Sequence, residues 1–125
     1  MGDQVPFYPG RAPIDAYGNG GFRFAGMSHR GSILCLPSGI SAWTPTRLEE
    51  ISLQSLAQVL LERSEVAVLF LGCGPELRHP GLEVRSALAE AGIGLEPMDT
   101  GAACRTYNVL LAEGRPVAAA LIAVD

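Results

Sequence analysis

The densest group of reactive side chains lies between Met98 and Asn108, where Asp99, Thr100, Cys104, Arg105, Thr106, Tyr107 and Asn108 share one short segment. A β-like run leads into it and a helical pattern leads out, so Asp99 or Thr100 is placed to cap a helix. The orphan N–H groups of that helix then form a site where an anion can bind. Cys104 in the same helix, beside Arg105, is where a lowered thiol pKa would make a reactive thiolate. A nucleophile of this kind also needs a base. Neither histidine is placed for it, since His29 falls in an expected turn and His79 precedes a helix. Small buried cysteines are common, and a structural Cys104 is preferred to a nucleophilic one. Arg105 and Asn108 are three apart and share a helix face, fit to hold a carboxylate or a partner's backbone, or to pair with Glu113 or Asp99.

A second candidate is Gly72-Cys73-Gly74, directly after a buried strand. Glycines there let a backbone approach a pyrophosphate. The dinucleotide pattern fails in detail, because Leu77 stands where the third glycine belongs, Pro75 intrudes and the helix starts only near Pro80. A tight turn is the preferred reading. Cys73 and Cys104 both follow the carboxyl ends of strands and so are expected on one rim of a parallel sheet. The candidate binding set is Cys73, Asp99, Thr100, Cys104, Arg105 and Asn108, with no catalytic residue assigned. No spacing of histidines, cysteines and acids matches a metal site, and no metal or cofactor is assigned.

The elements that must position these residues follow from hydrophobic period. Residues 1–13, with three prolines, read as an irregular arm that lies over the body through Phe7 and Tyr8. A strand over 14–17 turns at Gly18-Asn19-Gly20-Gly21, the best turn signal in the chain. Strands are expected over 22–25, 32–36 and 39–43, with a turn over 27–31. The strands over 22–25 and 32–36 pair as a hairpin, so the first third is a β-meander. Trp43 is expected in the core or a lid. The period then becomes helical: Leu53, Leu56, Ala57 and Leu60 predict a helix over 52–63 with Ser52 as N-cap. Val66 to Leu71 is apolar throughout, as in a strand buried on both faces. Val84, Ala87, Leu88 and Ala91 predict a second helix from Pro80 to Gly92. A strand over 93–98 follows, with Pro97 marking an edge position. A third helix runs over 100–113, stopped at Gly114, and residues 116–124 are too apolar to be anything but a buried strand. The β-α-β-α-β order from residue 66 argues for an α/β fold. The expectation is one layered domain spanning residues 1–125, with a mixed central sheet flanked by helices.

Composition limits the function classes. At 125 residues the chain has the size of one domain, and its mean hydropathy of +0.24 suits a folded globule. Its net charge of −4 and nine scattered cations argue against nucleic acid. All nine are arginines, which excludes Schiff-base lysine chemistry and a P-loop lysine. Three cysteines without close spacing fit reduced thiols in the cytoplasm. No run approaches the roughly 20 apolar residues of a membrane helix, and the opening residues show no signal peptide.

Several stretches together resemble a known family: Gly92-Ile93-Gly94-Leu95-Glu96, Met98-Asp99-Thr100, Ala103 through Leu110, Glu113-Gly114-Arg115 and Val117 through Ile122. That family is made up of small bacterial and archaeal proteins of unknown function and also contains the mitochondrial respiratory complex I assembly factor three. The similarity extends more weakly over residues 17–26, 31–37, 43 and 69–74. Pro97 departs from the family pattern, in which a β-branched residue is usual. The resemblance implies an α/β domain with extra N-terminal strands, no established enzymatic activity and no known cofactor. It also implies action through protein partners. The sequence reading is therefore a bacterial, cytoplasmic, non-catalytic interaction factor, with possible service in assembling a respiratory complex. The alternative is a small-molecule or anion-binding protein or enzyme using the Gly72–Gly74 and Asp99–Arg105 rim. Self-association through edge strands of the meander is also open.

Overall fold

Strands that are apolar on both faces must lie between two layers, and three such strands form the centre of the molecule. The computed structural model describes residues 7–125; the first six residues of the expected arm lie outside them. β4 (Ile33–Leu36), β6 (Val68–Gly72) and β8 (Val117–Leu121) sit inside a five-stranded sheet whose edges are β5 (Gly39–Ala42) and β7 (Gly94–Met98), in the order β5-β4-β8-β6-β7. β6 is parallel to both β7 and β8, whereas β4 is antiparallel to β5 and β8. The mixed sheet and the β-α-β-α-β order are as the sequence implies.

Side chains alternate across this sheet. Leu34, Leu36, Leu69, Leu71, Ala118 and Ala120 pack on one face with Val84 and Leu88 of α2 (Leu82–Glu90) and Val59 of α1 (Ala57–Leu61). Ile33, Cys35, Phe70, Val117, Ala119 and Leu121 pack on the other with Ala103, Cys104 and Tyr107 of α3 (Thr100–Ala112). The crossover helices α2 and α3 therefore cover opposite faces. Three fully buried alanines, Ala118 to Ala120, thin the middle of the sheet. Ala119 sits in register between Cys35 and Phe70, leaving room for those larger neighbours.

The N-terminal strands correct the expected meander. β1 (Ile14–Gly18), β2 (Gly21–Phe24) and β3 (Met27–Arg30) form a separate antiparallel sheet in that order. β3 occupies the stretch expected to be a turn, and β2 pairs with β3 instead of with the strand over 32–36. The turn is only Ala25-Gly26, both at positive φ (50° and 76°), matching Asn19-Gly20 in the preceding hairpin (52° and 79°). Alanine seldom adopts that conformation, so nothing in the residue type announced it. Phe22 and Phe24 bury their side chains on the α3 side of the molecule.

The helix expected over 52–63 is shorter. Ser52 and Ser55 bond reciprocally, Ser55 N to Ser52 Oγ at 3.1 Å and Ser52 N to Ser55 Oγ at 2.9 Å. The Ser55 carbonyl accepts from Trp43 Nε1 at 2.7 Å instead of from a helical N–H. That bond satisfies the buried indole and holds residues 53–56 as a turn, so α1 begins at Ala57. Gly81 replaces Pro80 as the boundary of α2. Gly92 and Gly114 end α2 and α3 at positive φ as expected, and Pro97 lies on an edge strand. Among the described residues, no helix is long and apolar enough to cross a membrane.

Ala25→Asn relieves the left-handed strain while keeping the turn, and we expect it to raise unfolding free energy by about 0.5–1 kcal/mol in urea titrations. An unchanged midpoint would show that the turn carries no such strain.

Candidate functional site

At the junction of β7 and α3 each polar side chain has an assignable duty. Asp99 is the N-cap: its Oδ1 accepts from Ala102 N at 2.9 Å, and its backbone is extended. Thr100 is fully buried. Its Oγ1 donates to Ile122 O at 2.7 Å and accepts from Gly74 N at 3.0 Å, while Thr100 N donates to Gly74 O at 2.9 Å. One residue thus ties together the carboxyl ends of β6 and β8. Doubly wound sheets bind ligands in the crevice where neighbouring crossovers leave toward opposite faces. Here α2 and α3 leave the adjacent strands β6 and β7 toward opposite faces, and Thr100, at the start of α3, is bonded across the ends of β6 and β8. Gly72 makes the fit possible, because a Cβ there would come within 3.0 Å of Thr100 Oγ1 and Leu121 Cδ2.

The next residues on α3 form a seam for β1. Gly101, Arg105 and Asn108 stand at i, i+4 and i+7, one stripe of the helix. The Tyr17 ring lies against Gly101, where any side chain would collide with the phenol oxygen. Arg105 Nη1 donates to that same oxygen at 3.0 Å. Asn108 Oδ1 accepts from Ile14 N and its Nδ2 donates to Ile14 O, both at 2.8 Å. The Asn108 amide replaces a neighbouring strand for Ile14, next to the irregularity between Ile14 and Ala16. Asn108 therefore holds the chain's own backbone at Ile14, not the partner's backbone, carboxylate, Glu113 or Asp99 expected for it.

Cys104 and Tyr107 lie on the inner stripe of α3. Cys104 is buried, and burial pushes its thiol up to about 12, against the opposing pull of Arg105. The dipole argument for a lowered pKa loses to desolvation because the thiol faces the sheet. Burial also raises the Cys35 thiol and the Tyr107 phenol. Tyr107 Oη is buried without a hydrogen-bond partner among the described residues, a cost the fold carries for the ring's packing.

Cys73 is on the same rim as Cys104 but on the opposite face of the sheet, so the structure does not bring the two thiols together. Its Sγ donates to Arg78 O at 2.9 Å, and burial raises its pKa. Of the six candidates, Cys73 lines a groove. This groove of about 340 Å³ opens at the ends of β6 and β8, bordered by Arg47, Leu48, Gly74, Arg78 and Ile122. Arg78 also pairs with Glu49 at 2.6 Å, and Arg47 lies 3.8 Å from Glu50. The expected rim is therefore two places: a groove with Cys73 and Gly74, and a β1-docking seam with Arg105 and Asn108. Arg47 and Arg78 escaped sequence reading because nothing in their spacing links them to residue 73.

Asn108→Ala leaves both polar groups of Ile14 unpaired and is expected to cost about 2 kcal/mol or more. Hydrogen exchange should quicken in β1 to β3 before the central sheet, and uniform quickening would contradict a local clamp. Tyr107→Phe removes the orphan hydroxyl and should leave stability unchanged or raise it by about 1 kcal/mol in urea unfolding. The raised Cys104 pKa sets a sign for alkaline stability. The folded state keeps its proton above the thiol's ordinary value of 9.0, so stability is whole below that pH and falls as pH climbs from there toward about 12. Cys104→Ala should flatten part of that decline in unfolding curves recorded across the range.

The comparisons with known proteins agree with this architecture. An uncharacterised protein of Rhodobacter capsulatus is 38% identical, over 98% of this chain and 93% of its own length. NADH dehydrogenase (ubiquinone) 1 alpha subcomplex assembly factor 3 of Danio rerio is 37% identical, over 87% of this chain and 63% of that protein. The chain thus spans about three fifths of the length of the animal assembly factors it matches. The crystal structure of an outer membrane protein from Bartonella henselae superposes with a TM-score of 0.91 at 54% identity, covering 94% of this chain and 99% of that one. The model of a protein family of unknown function matches residues 14–122, from the first residue of β1 to the carbonyl that Thr100 holds, and on that match the chain belongs to the DUF498/DUF598 family.

Proposed function

We propose that this chain is a non-catalytic protein-interaction factor, one domain acting in the cytoplasm, that assists assembly of a respiratory membrane complex. The observation that carries this reading is the use of the Asp99–Asn108 segment. Its cap, its buried hydroxyl, its guanidinium and its amide are each bonded within the chain, to Ala102, Gly74 and Ile122, Tyr17 and Ile14. Groups committed to holding elements together serve a scaffold whose work is done on its outer surface. The similarity to assembly factor 3 of Danio rerio supplies the class of process. Buried, reduced cysteines fit a reducing compartment.

A second reading is favoured by one feature, the groove beside Cys73 with Arg47 and Arg78 on its border. It would take a small anion at the carboxyl ends of parallel strands. Titration with inorganic phosphate and small dicarboxylates, comparing the native chain with Arg78→Ala, decides that reading.

Deleting the gene from its host should lower the amount of assembled NADH dehydrogenase on native gels. Cross-linked affinity purification of the tagged chain should recover a specific partner from that complex. Normal assembly together with no specific partner would refute the interaction reading.

A further inference from the structure

A sheet edge presents unpaired N–H and C=O groups that pair with any strand they meet, and proteins cover or blunt such edges. The two sheets have four edges, and three of them are covered or blunted. At β5, Phe7 N and Tyr8 N donate to Ile40 O at 2.7 and 3.3 Å, and Ile40 N donates to Tyr8 O at 2.9 Å. At β7, Gly94 N donates to Ala67 O and Met98 O accepts from Cys73 N. Residues 94, 96 and 98 therefore face β6, and Pro97 faces outward with no donor to offer. At β1, the Asn108 amide occupies Ile14.

The edge at β3 has no such cover among the described residues. The Ala25-Gly26 turn closes Phe24 and Met27 as a pair that exchanges both hydrogen bonds. Gly31 N donates to Gly20 O at 2.7 Å, in phase with that pair. Met27, His29 and Gly31 thus turn their backbone groups toward β2, while Ser28 and Arg30 turn theirs outward.

The solvent face beside this edge carries two arginines. Arg23 is opposite Ser28 and Gly21 is opposite Arg30, so both arginines project from one face, over a shallow concavity of about 490 Å³. Ion pairs among the described residues involve Arg47, Arg78 and Arg115, not Arg23 or Arg30. Charge along the chain is unequal. Residues 1–47 hold four arginines and two acids, a balance of +2, and residues 48–125 hold five arginines and eleven acids, a balance of −6, which together give −4.

We propose that β3 is the docking edge for an extended acidic segment of a partner protein. The segment adds as a fourth strand to the β1-β2-β3 sheet, using the outward rungs of Ser28 and Arg30. Its carboxylates lie beside Arg30 and reach Arg23 across the small Ser28 side chain. A second copy of this chain is the poorer occupant, because antiparallel β3 strands paired through Ser28 and Arg30 would place the Arg30 side chains of both copies on one face as diagonal neighbours. The proposal rests on the interaction reading above and names the surface that reading requires.

The test uses the full chain and a fluorescein-labelled peptide of about eight residues alternating Glu and Val, with a Lys-for-Glu peptide as control. The acidic peptide should bind, its affinity should fall as salt rises, and the Lys peptide should not bind. Ser28→Pro removes an outward N–H that β2 does not use, and R23E/R30E reverses the charge. Each should weaken binding by ~10-fold or more, about 1.4 kcal/mol. In the native chain, peptide addition should slow exchange of the Ser28 and Arg30 amides, a readout that needs no variant. No binding of the acidic peptide, or binding indifferent to both variants, overturns the proposal. Binding that depends on the arginines but not on Ser28 overturns strand addition, and a dimer that Ser28→Pro abolishes gives the edge to a second copy and overturns the acidic partner. If Ser28→Pro and R23E/R30E still capture the host partner, the β3 assignment fails while the interaction reading stands. If no form of the chain captures a partner, the interaction reading fails and this proposal with it.

Discussion

The seam between α3 and β1 is the contact on which the arrangement of the molecule depends. A three-stranded sheet of four- and five-residue strands is marginal alone. Here it persists because Phe22 and Phe24 bury against the central sheet's α3 face and because Asn108 holds Ile14 as a neighbouring strand would. Gly101 supplies the close approach, since only a residue without a side chain lets Tyr17 reach the helix. Thr106 and Val109 lie outside both stripes, Val109 exposed to solvent. The helix thus uses one stripe for the central sheet, another for β1, and leaves the rest to solvent.

The start of the same helix is bonded across the carboxyl ends of two central strands. Thr100 engages the ends of β6 and β8 through its hydroxyl and backbone, with Gly72 making room for it. Desolvation then decides the chemistry of what lies beneath. Thiols and a phenol facing the sheet hold their protons, because a thiolate in that interior has too little compensation from Arg105, whose guanidinium is turned toward Tyr17. The reactive-looking composition of the segment is the composition of a joint.

Unequal charge adds a second constraint. The acidic residues concentrate after residue 48, on the helical part and its loops, while the small sheet presents Arg23 and Arg30 to solvent. A molecule with this polarity orients toward charged partners before contact, and the effect weakens with ionic strength. β7, by contrast, is shielded from pairing by a proline whose missing N–H harms no internal bond.

Much of the fold was legible in the residues themselves. The unbroken apolar runs over 66–71 and 116–124 required strands buried on both faces, and Gly92 and Gly114 marked helix ends, because backbone conformation and burial are written locally. The position of β3 was not legible, since Met27-Ser28-His29-Arg30 has weak alternation and Ala25 is not a turn residue. Nor was the early stop of α1, which depends on Trp43 taking the Ser55 carbonyl from another part of the chain. At the candidate site, sequence identified a cap at Asp99 or Thr100 and the shared face of Arg105 and Asn108, and structure chose Asp99. Tertiary structure decided what that face meets, which side of the sheet each cysteine occupies, and that Arg47 and Arg78 border the Cys73 groove. Local spacing determines which side chains project together. Their partners come from residues tens of positions away, and the packing of sheets and helices alone brings those within bonding distance.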